Sequence, residues 1–297
     1  PDDLESGLGP WIKVGMRNKS WGQAREMRTL LERAREAQAT RIAQDPSGDV
    51  RQLAMADIDA AIRISGYREP EPEKPEKISD TIVRIPALRH SVTPVSEGTS
   101  ALQAAVVTIK LEGGHGSGFF VSRDGYLLTN QHVVGDRKFV TVKLTTGRQM
   151  PGEVLRSHRA RDVALIKVNE SGMEALPIQL ALPDVAAEVY AIGTPFEETL
   201  STTISKGIVS AYRTDKDLYG TDHGLKLLQS DAAIHGGSSG GAMVDRFGNV
   251  VAISVGGHHD SGAKKLGTSL NFFIPIADAL KFLAIEVVKH NVDATET

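Results

Sequence analysis

The sequence predicts a mainly β molecule preceded by an α-helical hairpin. Three observations carry this. Before about residue 67, apolar positions recur at spacings of three and four. A proline- and charge-rich segment occupies 68–77. Beyond about Ser96 come short β-rich runs bounded by Gly, Asn and Asp with no helical pattern between them, which favours barrels or sandwiches over a parallel α/β sheet.

Two helices account for the first part. From Ser20 to Ala43, Trp21, Ala24, Met27, Leu31, Ala34 and Ala37 mark one face, and Arg25, Arg28, Glu32, Arg33 and Glu36 mark the other. Asp45-Pro46-Ser47-Gly48 breaks that pattern. A second helix is expected over Val50–Ile64, with Leu53, Ala54, Ile58, Ala61 and Ile62 inward and Gly66 as its stop. Arg68-Glu-Pro-Glu-Pro-Glu-Lys-Pro-Glu-Lys has three prolines and no apolar side chain to bury, so it reads as a stiff, solvated spacer. The expected domains are therefore a helical region 1–67, a linker with an extended lead-in 68–95, a β domain 96–289 divided near 185, and a tail 290–297.

The β runs in the first half are Val106–Leu111, Gly118–Ser122, Tyr126–Thr129, Phe139–Leu144 and Val163–Val168. In the second they are Val189–Ile192, Gly207–Tyr212, Leu225–Gln229, Gly241–Val244 and Val250–Val255. Asp124-Gly125 is a hairpin signal, and Ile276–Val288 is expected to be a closing amphipathic helix. The 297 residues are 40% hydrophobic and 24% charged, with a net charge of −3, which argues against a basic nucleic-acid footprint. No run of roughly 18 apolar residues predicts a membrane-spanning helix. Cysteine is absent, so packing alone must hold the fold.

Three short stretches could carry chemistry. Gly237-Ser238-Ser239-Gly240-Gly241 would expose a serine hydroxyl on a tight turn, with the N–H groups of Gly237 and Ser239 free to converge. Taken alone it reads better as a flexible turn. His132, in Thr129-Asn130-Gln131-His132, comes after a strand, and Asp162 directly precedes one. Either alone reads as a core, rim or turn residue. Together they supply a nucleophile, a base and an acceptor that fixes the base. Thirty residues separate His132 from Asp162, and 77 separate Asp162 from Ser239. Those gaps suit His and Asp on one barrel and Ser on a second, with the site between them.

The chain resembles the HtrA/Deg branch of the trypsin-like serine peptidases. The matching stretches in the first half are Gly116-Ser-Gly-Phe-Phe, Gly125-Tyr-Leu-Leu-Thr-Asn-Gln-His-Val-Val and Asp162-Val-Ala-Leu-Ile-Lys-Val. In the second half they are Gly193-Thr-Pro-Phe, Ser205-Lys-Gly-Ile-Val-Ser-Ala, Gln229-Ser-Asp-Ala-Ala-Ile and Phe273-Ile-Pro. The resemblance spans roughly 100–285 and implies two packed six-stranded antiparallel β-barrels. It also implies an ATP-independent endopeptidase of unfolded or damaged proteins with no metal or organic cofactor. His132, Asp162 and Ser239 would be its triad, and Gly237 and Ser239 its oxyanion donors. A periplasmic or cell-envelope address is the branch's commonest bacterial one.

The chain departs from the branch around the nucleophile. His235-Gly-Gly-Ser-Ser-Gly-Gly-Ala stands where Asn-Pro-Gly-Asn-Ser-Gly-Gly-Pro is usual, so an inactive resting loop is a real alternative. Ala233 and Ile234 would line a primary pocket for small or medium aliphatic residues, and His235 is either a lining or an exposed loop residue. Ser254-Val255-Gly256 would pair with substrate backbone, or simply end a barrel strand. His258-His259-Asp260 reads as a surface loop rather than a metal site. Nine residues come after the expected closing helix, so no peptide-binding PDZ domain is expected within them. Polypeptide substrates are the expected partners, and the helical hairpin is a candidate for self-association or docking. Two other classes remain open: a silent peptide-binding module, and an interaction protein whose hairpin is the functional part.

Overall fold

The computed structural model describes residues 23–44, 54–64, 78–112, 114–194, 202–214, 224–255 and 271–288. The chain divides into two compact units, Pro1–Pro75 and Glu76–Thr297.

In the first unit, α1 (Gln23–Gln44) and α2 (Met55–Ile64) pack as a helical hairpin. The buried residues Ala34, Ile58 and Ala61 are mostly small, which lets the two backbones approach closely. One ion pair fixes the register. The Arg41 guanidinium donates to both Asp57 oxygens, Nε to Oδ1 at 2.8 Å and Nη2 to Oδ2 at 2.9 Å. Asp57 sits in the first turn of α2 and also accepts the Ala54 N–H at 2.9 Å, as the acidic arm of a capping box does. The Arg41 hydrogen bond holds the Asp57 carboxyl below the usual carboxylate range, against the opposing effect of burial.

The second unit contains two closed barrels. A short helix, α3 (Ser100–Ala105), runs directly into the first of them. That barrel has the order β2-β3-β4-β7-β6-β5, from β2 (Val106–Leu111), β3 (Gly114–Phe120), β4 (Tyr126–Thr129), β5 (Phe139–Lys143), β6 (Gln149–His158) and β7 (Val163–Val168). A single helical turn, α4 (Gln131–Val134), lies between β4 and β5. The other barrel has the order β10-β13-β12-β11-β8-β9, from β8 (Glu188–Gly193), β9 (Thr203–Thr214), β10 (Lys226–Ser230), β11 (Ala242–Asp245), β12 (Val250–Ser254) and β13 (Asn271–Pro275). Every pairing within the barrels is antiparallel.

Several strands read as unbroken apolar runs because both of their faces are buried. In β3, Phe120 fills the first barrel while Phe119 joins a core shared between the barrels. Leu127 and Leu128 in β4, and Ile166 and Leu165 in β7, divide in the same way. In the second barrel Val251 and Phe273 point inward, whereas Val250 and Ile274 join the shared core. Period-two alternation thus persists, with apolar surroundings on both sides.

Three elements differ from the sequence expectation. Residues 78–95 contain β1 (Val83–Pro86), which pairs in parallel with β14 (Ile285–Val288), and the Ile85 side chain is fully buried in the shared core. β6 carries Pro151 and Gly152, which hide its strand character. A Cβ on Gly152 would lie 2.7 Å from Ile166 and 2.9 Å from Val142, so this strand needs glycine to cross the packed barrel. The expected helix over Ile276–Val288 is instead α5 (Ile276–Phe282) and then β14. Ala284, at φ 50°, turns the chain, and Ile285-Glu-Val-Val is a β-branched run with a strand partner available. The Asp124-Gly125 hairpin forms, with Gly125 at φ 95° where a Cβ would meet the Val168 carbonyl at 2.6 Å. No helix among the described residues is long and apolar enough to cross a membrane.

Candidate active site

His132 lies on α4, the helical turn that leaves the end of β4. Its neighbours Gln131, Val133 and Val134 are buried and anchor the turn. Val133 packs over Gly116 of β3 so closely that a Cβ there would come within 2.6 Å of it. The His132 side chain points outward and is 38% exposed.

Asp162 comes after the 3-10 turn Arg159–Arg161 and adopts the left-handed conformation, φ 52°, ψ 45°. Asp is among the few L-residues that visit this region routinely. Two hydrogen bonds hold it: its N–H donates to Arg159 O at 3.1 Å, and its carbonyl accepts the Asn130 Nδ2 proton at 2.9 Å. The carboxylate then meets His132 with both oxygens. Oδ1 accepts the His132 backbone N–H at 2.8 Å, and Oδ2 lies 2.7 Å from Nδ1. An ionised carboxylate in this position can only accept, so it favours the tautomer with the proton on Nδ1, in which the Nε2 lone pair is available to a proton.

The loop from His235 to Gly241, which carries Ser239, is built from backbone bonds. The Ser238 N–H donates to His235 O at 2.9 Å, and Gly237 has φ 92° while Gly236 has no positive φ. These are the marks of a type II turn, which requires glycine-like freedom at its third residue. Gly240 and Gly241 donate to Ser254 O at 2.8 Å and Ser238 O at 2.9 Å. A Cβ on Gly240 would meet the Ser117 carbonyl and Thr129 Oγ1 and come within 3.1 Å of Asn130 N, so the loop abuts the segment that carries His132. Neither the Gly237 nor the Ser239 N–H has a hydrogen-bond partner among the described residues. The Ser239 hydroxyl donates to Val255 O at 3.2 Å, long for an O–H···O bond.

The other residues singled out in the sequence divide. Ala233, Ile234 and His235 line a cavity of about 100 Å³ walled also by β8 and β9, and neither Ser239 nor Val255 lines it. Ile234 is turned into the core of the second barrel, while Ala233 and His235 are exposed. Ser254 gives its N–H and carbonyl to Gly241 and Gly240, so of the expected substrate edge it is Val255 that presents its carbonyl beside the nucleophile. Gly256 and His258-His259-Asp260 lie outside the described residues. No cluster of metal-ligating side chains occurs among the described residues.

Residues 116–253 match the trypsin-like peptidase domain family. The serine endoprotease DegS of Escherichia coli is 32% identical over 170 residues, which cover 57% of this chain and 47% of that protein. The magnetosome formation protease MamE of Magnetospirillum gryphiswaldense is 38% identical over 178 residues, 58% of this chain and 22% of that protein. Among solved structures, the HtrA-type protease AlgW with tripeptide is 30% identical, with a TM-score of 0.54 over 63% of this chain and 62% of that one. The second unit is thus similar to the HtrA-type serine proteases, with the trypsin-like peptidase match at its centre.

The chain spans about half the length, or less, of these curated relatives. Within the HtrA-like domain, sequence reasoning missed several residues that hold the site. Asn130 ties Asp162, and Asn271 donates to Ala232 O at 2.8 Å behind the 233–238 segment. Ser117 bonds the nucleophile loop, and His115 Nε2 lies 3.0 Å from Thr194 O beside Gly237. Ser117 and Asn130 lie inside the matching stretches, and His115 and Asn271 lie just beside them, but no local pattern marks any of the four for this role.

Proposed function

We propose that the chain is a serine endopeptidase working through His132, Asp162 and Ser239. The observation that carries this is the Asp162–His132 pair, bonded through both carboxylate oxygens, beside a glycine loop whose N–H groups at 237 and 239 have no partner among the described residues. Ser239 Oγ rotates from Val255 O to His132 Nε2, loses its proton to that nitrogen and attacks the scissile carbonyl. The oxyanion settles on the Gly237 and Ser239 N–H groups. His132, now an imidazolium stabilised by Asp162, protonates the leaving amine, and water then releases the acyl group by the same path.

The finer reading is cleavage of unfolded or damaged polypeptides after small or medium aliphatic residues, in the periplasm or cell envelope. Ala233 offers no carboxylate to pair with Arg or Lys, and Val255 O is an acceptor for the backbone of an extended substrate. The N-terminal helices serve self-association or docking. A silent peptide-binding module is the competing reading, favoured by the Ser239 hydroxyl resting on Val255 O rather than on His132.

The test is labelling by a fluorophosphonate probe, with casein cleavage beside it, on the wild type and Ser239→Ala. Labelling and cleavage that both vanish in the variant support the enzyme reading. A folded wild type that takes no label supports the silent module. A peptide-library profile dominated by Arg or Lys at the cleaved residue would sink the aliphatic preference.

A further inference from the structure

We propose that Ser117, on the opposite barrel, is the positioning residue that sets the two oxyanion-hole donors, an inference that rests on the peptidase reading above. The donors are peptide N–H groups, so their aim depends on how the peptide planes of 237–239 are held. Gly237, a glycine in the left-handed region, has little intrinsic restraint. The turn bond from Ser238 to His235 leaves the Gly237 carbonyl to be held from outside the loop.

Ser117 does so twice. Its N–H donates to the Ser239 carbonyl at 2.7 Å, and its Oγ donates to the Gly237 carbonyl at 2.8 Å. Ser117 thus grips the 237–238 and 239–240 peptides, which flank the 238–239 peptide carrying the Ser239 N–H, and the first of them also adjoins the 236–237 peptide carrying the Gly237 N–H. The direction of the hydroxyl proton is also fixed. Oγ accepts the Thr194 N–H at 2.8 Å, so its single hydrogen is left for Gly237 O. Both Ser117 and Thr194 are fully buried, so water does not compete for these bonds.

The surroundings explain why small residues flank this serine. A Cβ on Gly193 would stand 3.1 Å from Ser117 Oγ, and one on Gly240 would meet the Ser117 carbonyl. The hydroxyl is enclosed by backbone, at a junction of β3, the end of β8 and the nucleophile loop. Losing it frees the Gly237–Ser238 peptide while leaving His132, Asp162 and the Ser239 hydroxyl in place.

The test compares Ser117→Ala with Ser122→Ala in the full chain. Ser122 is an equally buried hydroxyl that accepts the Tyr126 N–H at 3.0 Å, away from the nucleophile loop. For Ser117→Ala, kcat on a small ester or peptide is expected to fall about 10- to 100-fold, approaching the loss of an oxyanion donor, with KM within about twofold. Its pH–rate profile keeps the wild-type shape, because the base is untouched. Ser122→Ala keeps the wild-type kcat. Ser117→Cys, which keeps a weaker donor on a somewhat larger atom, falls between and gives a second variant that does not empty the site. Backbone amide resonances of Gly237 and Ser239 provide a readout independent of turnover: they shift or broaden in Ser117→Ala and stay put in Ser122→Ala. Equal kcat in the two alanine variants, or unmoved 237 and 239 amides in folded Ser117→Ala, overturns the inference. Failure of the wild type to take a fluorophosphonate overturns the peptidase reading instead, and the amide comparison still decides the role of Ser117.

Discussion

Single atoms decide most at Gly237 and Asp162. Gly237 sits at φ 92°, and a Cβ there would meet the Thr194 carbonyl and come within 2.6 Å of His115 Nε2. Gly237→Ala therefore has to abandon the type II turn, and flipping its central peptide turns the Gly237 N–H away. Turnover is expected to fall by about 10²–10³-fold, read as kcat in folded protein, whereas unchanged turnover would remove Gly237 from the hole. Asp162→Asn keeps the shape but presents an amide to His132 where two carboxylate contacts stood. That favours the wrong imidazole tautomer and predicts a loss of about 10⁴-fold in kcat. Both residues stand out in the sequence, since a glycine beside a serine and an acid before an apolar strand mean something once the histidine is counted. Ser117 and Asn130 do not stand out. Their partners are backbone atoms 120 and 32 residues away, and nothing in local composition encodes such a bond.

At the scale of elements, legibility tracks the number of faces a strand buries. β7 and β12, buried on both sides, appear in the sequence as plain apolar runs. β6, with its alternating exposure and its Pro-Gly pair, does not. The α5–β14 boundary is hidden because apolar spacing in Ile276–Val288 suits a helix until Ala284 turns the chain at φ 50°. Alanine in this region costs roughly 1–2 kcal/mol, partly offset by the greater freedom of an unfolded glycine. Ala284→Gly is therefore expected to raise Tm by about 1–3 °C, and calorimetry showing a drop would contradict the strain argument. In the helical hairpin, Arg41 lowers the Asp57 carboxyl in the folded chain. Its contribution is therefore complete above the ordinary aspartate value of 3.8 and disappears as pH falls through the folded value. Limited proteolysis should accordingly open residues 1–75 more readily below about pH 4 in the wild type. Asp57→Asn should be susceptible at neutral pH already, with that acid step lost.

For the whole molecule, the question is where the catalytic body begins. The sequence draws a strong line at the proline-rich segment and treats residues 78–95 as lead-in. The cores answer differently for the two sides of Ile85. Among the described residues, none of those buried in the shared core or in either barrel precedes it. Ile85 itself is fully buried there, with Val83 packed against that core and β1 bonded along β14. Removing residues 1–77 should thus leave a folded HtrA-like domain whose fluorophosphonate labelling rate stays within about twofold of the full chain. Removing residues 1–88 strips one isoleucine from a closed core and a strand from its partner. The isoleucine alone is worth roughly 2–5 kcal/mol, and the melting temperature should fall by about 5–15 °C. Light scattering on the same pair of truncations tests the helices. A mass that drops to one protomer when 1–77 is removed assigns self-association to the hairpin, and an unchanged mass denies it that role. Equal melting of the two truncations would mean that Ile85 closes nothing, and the catalytic body would then begin after β1.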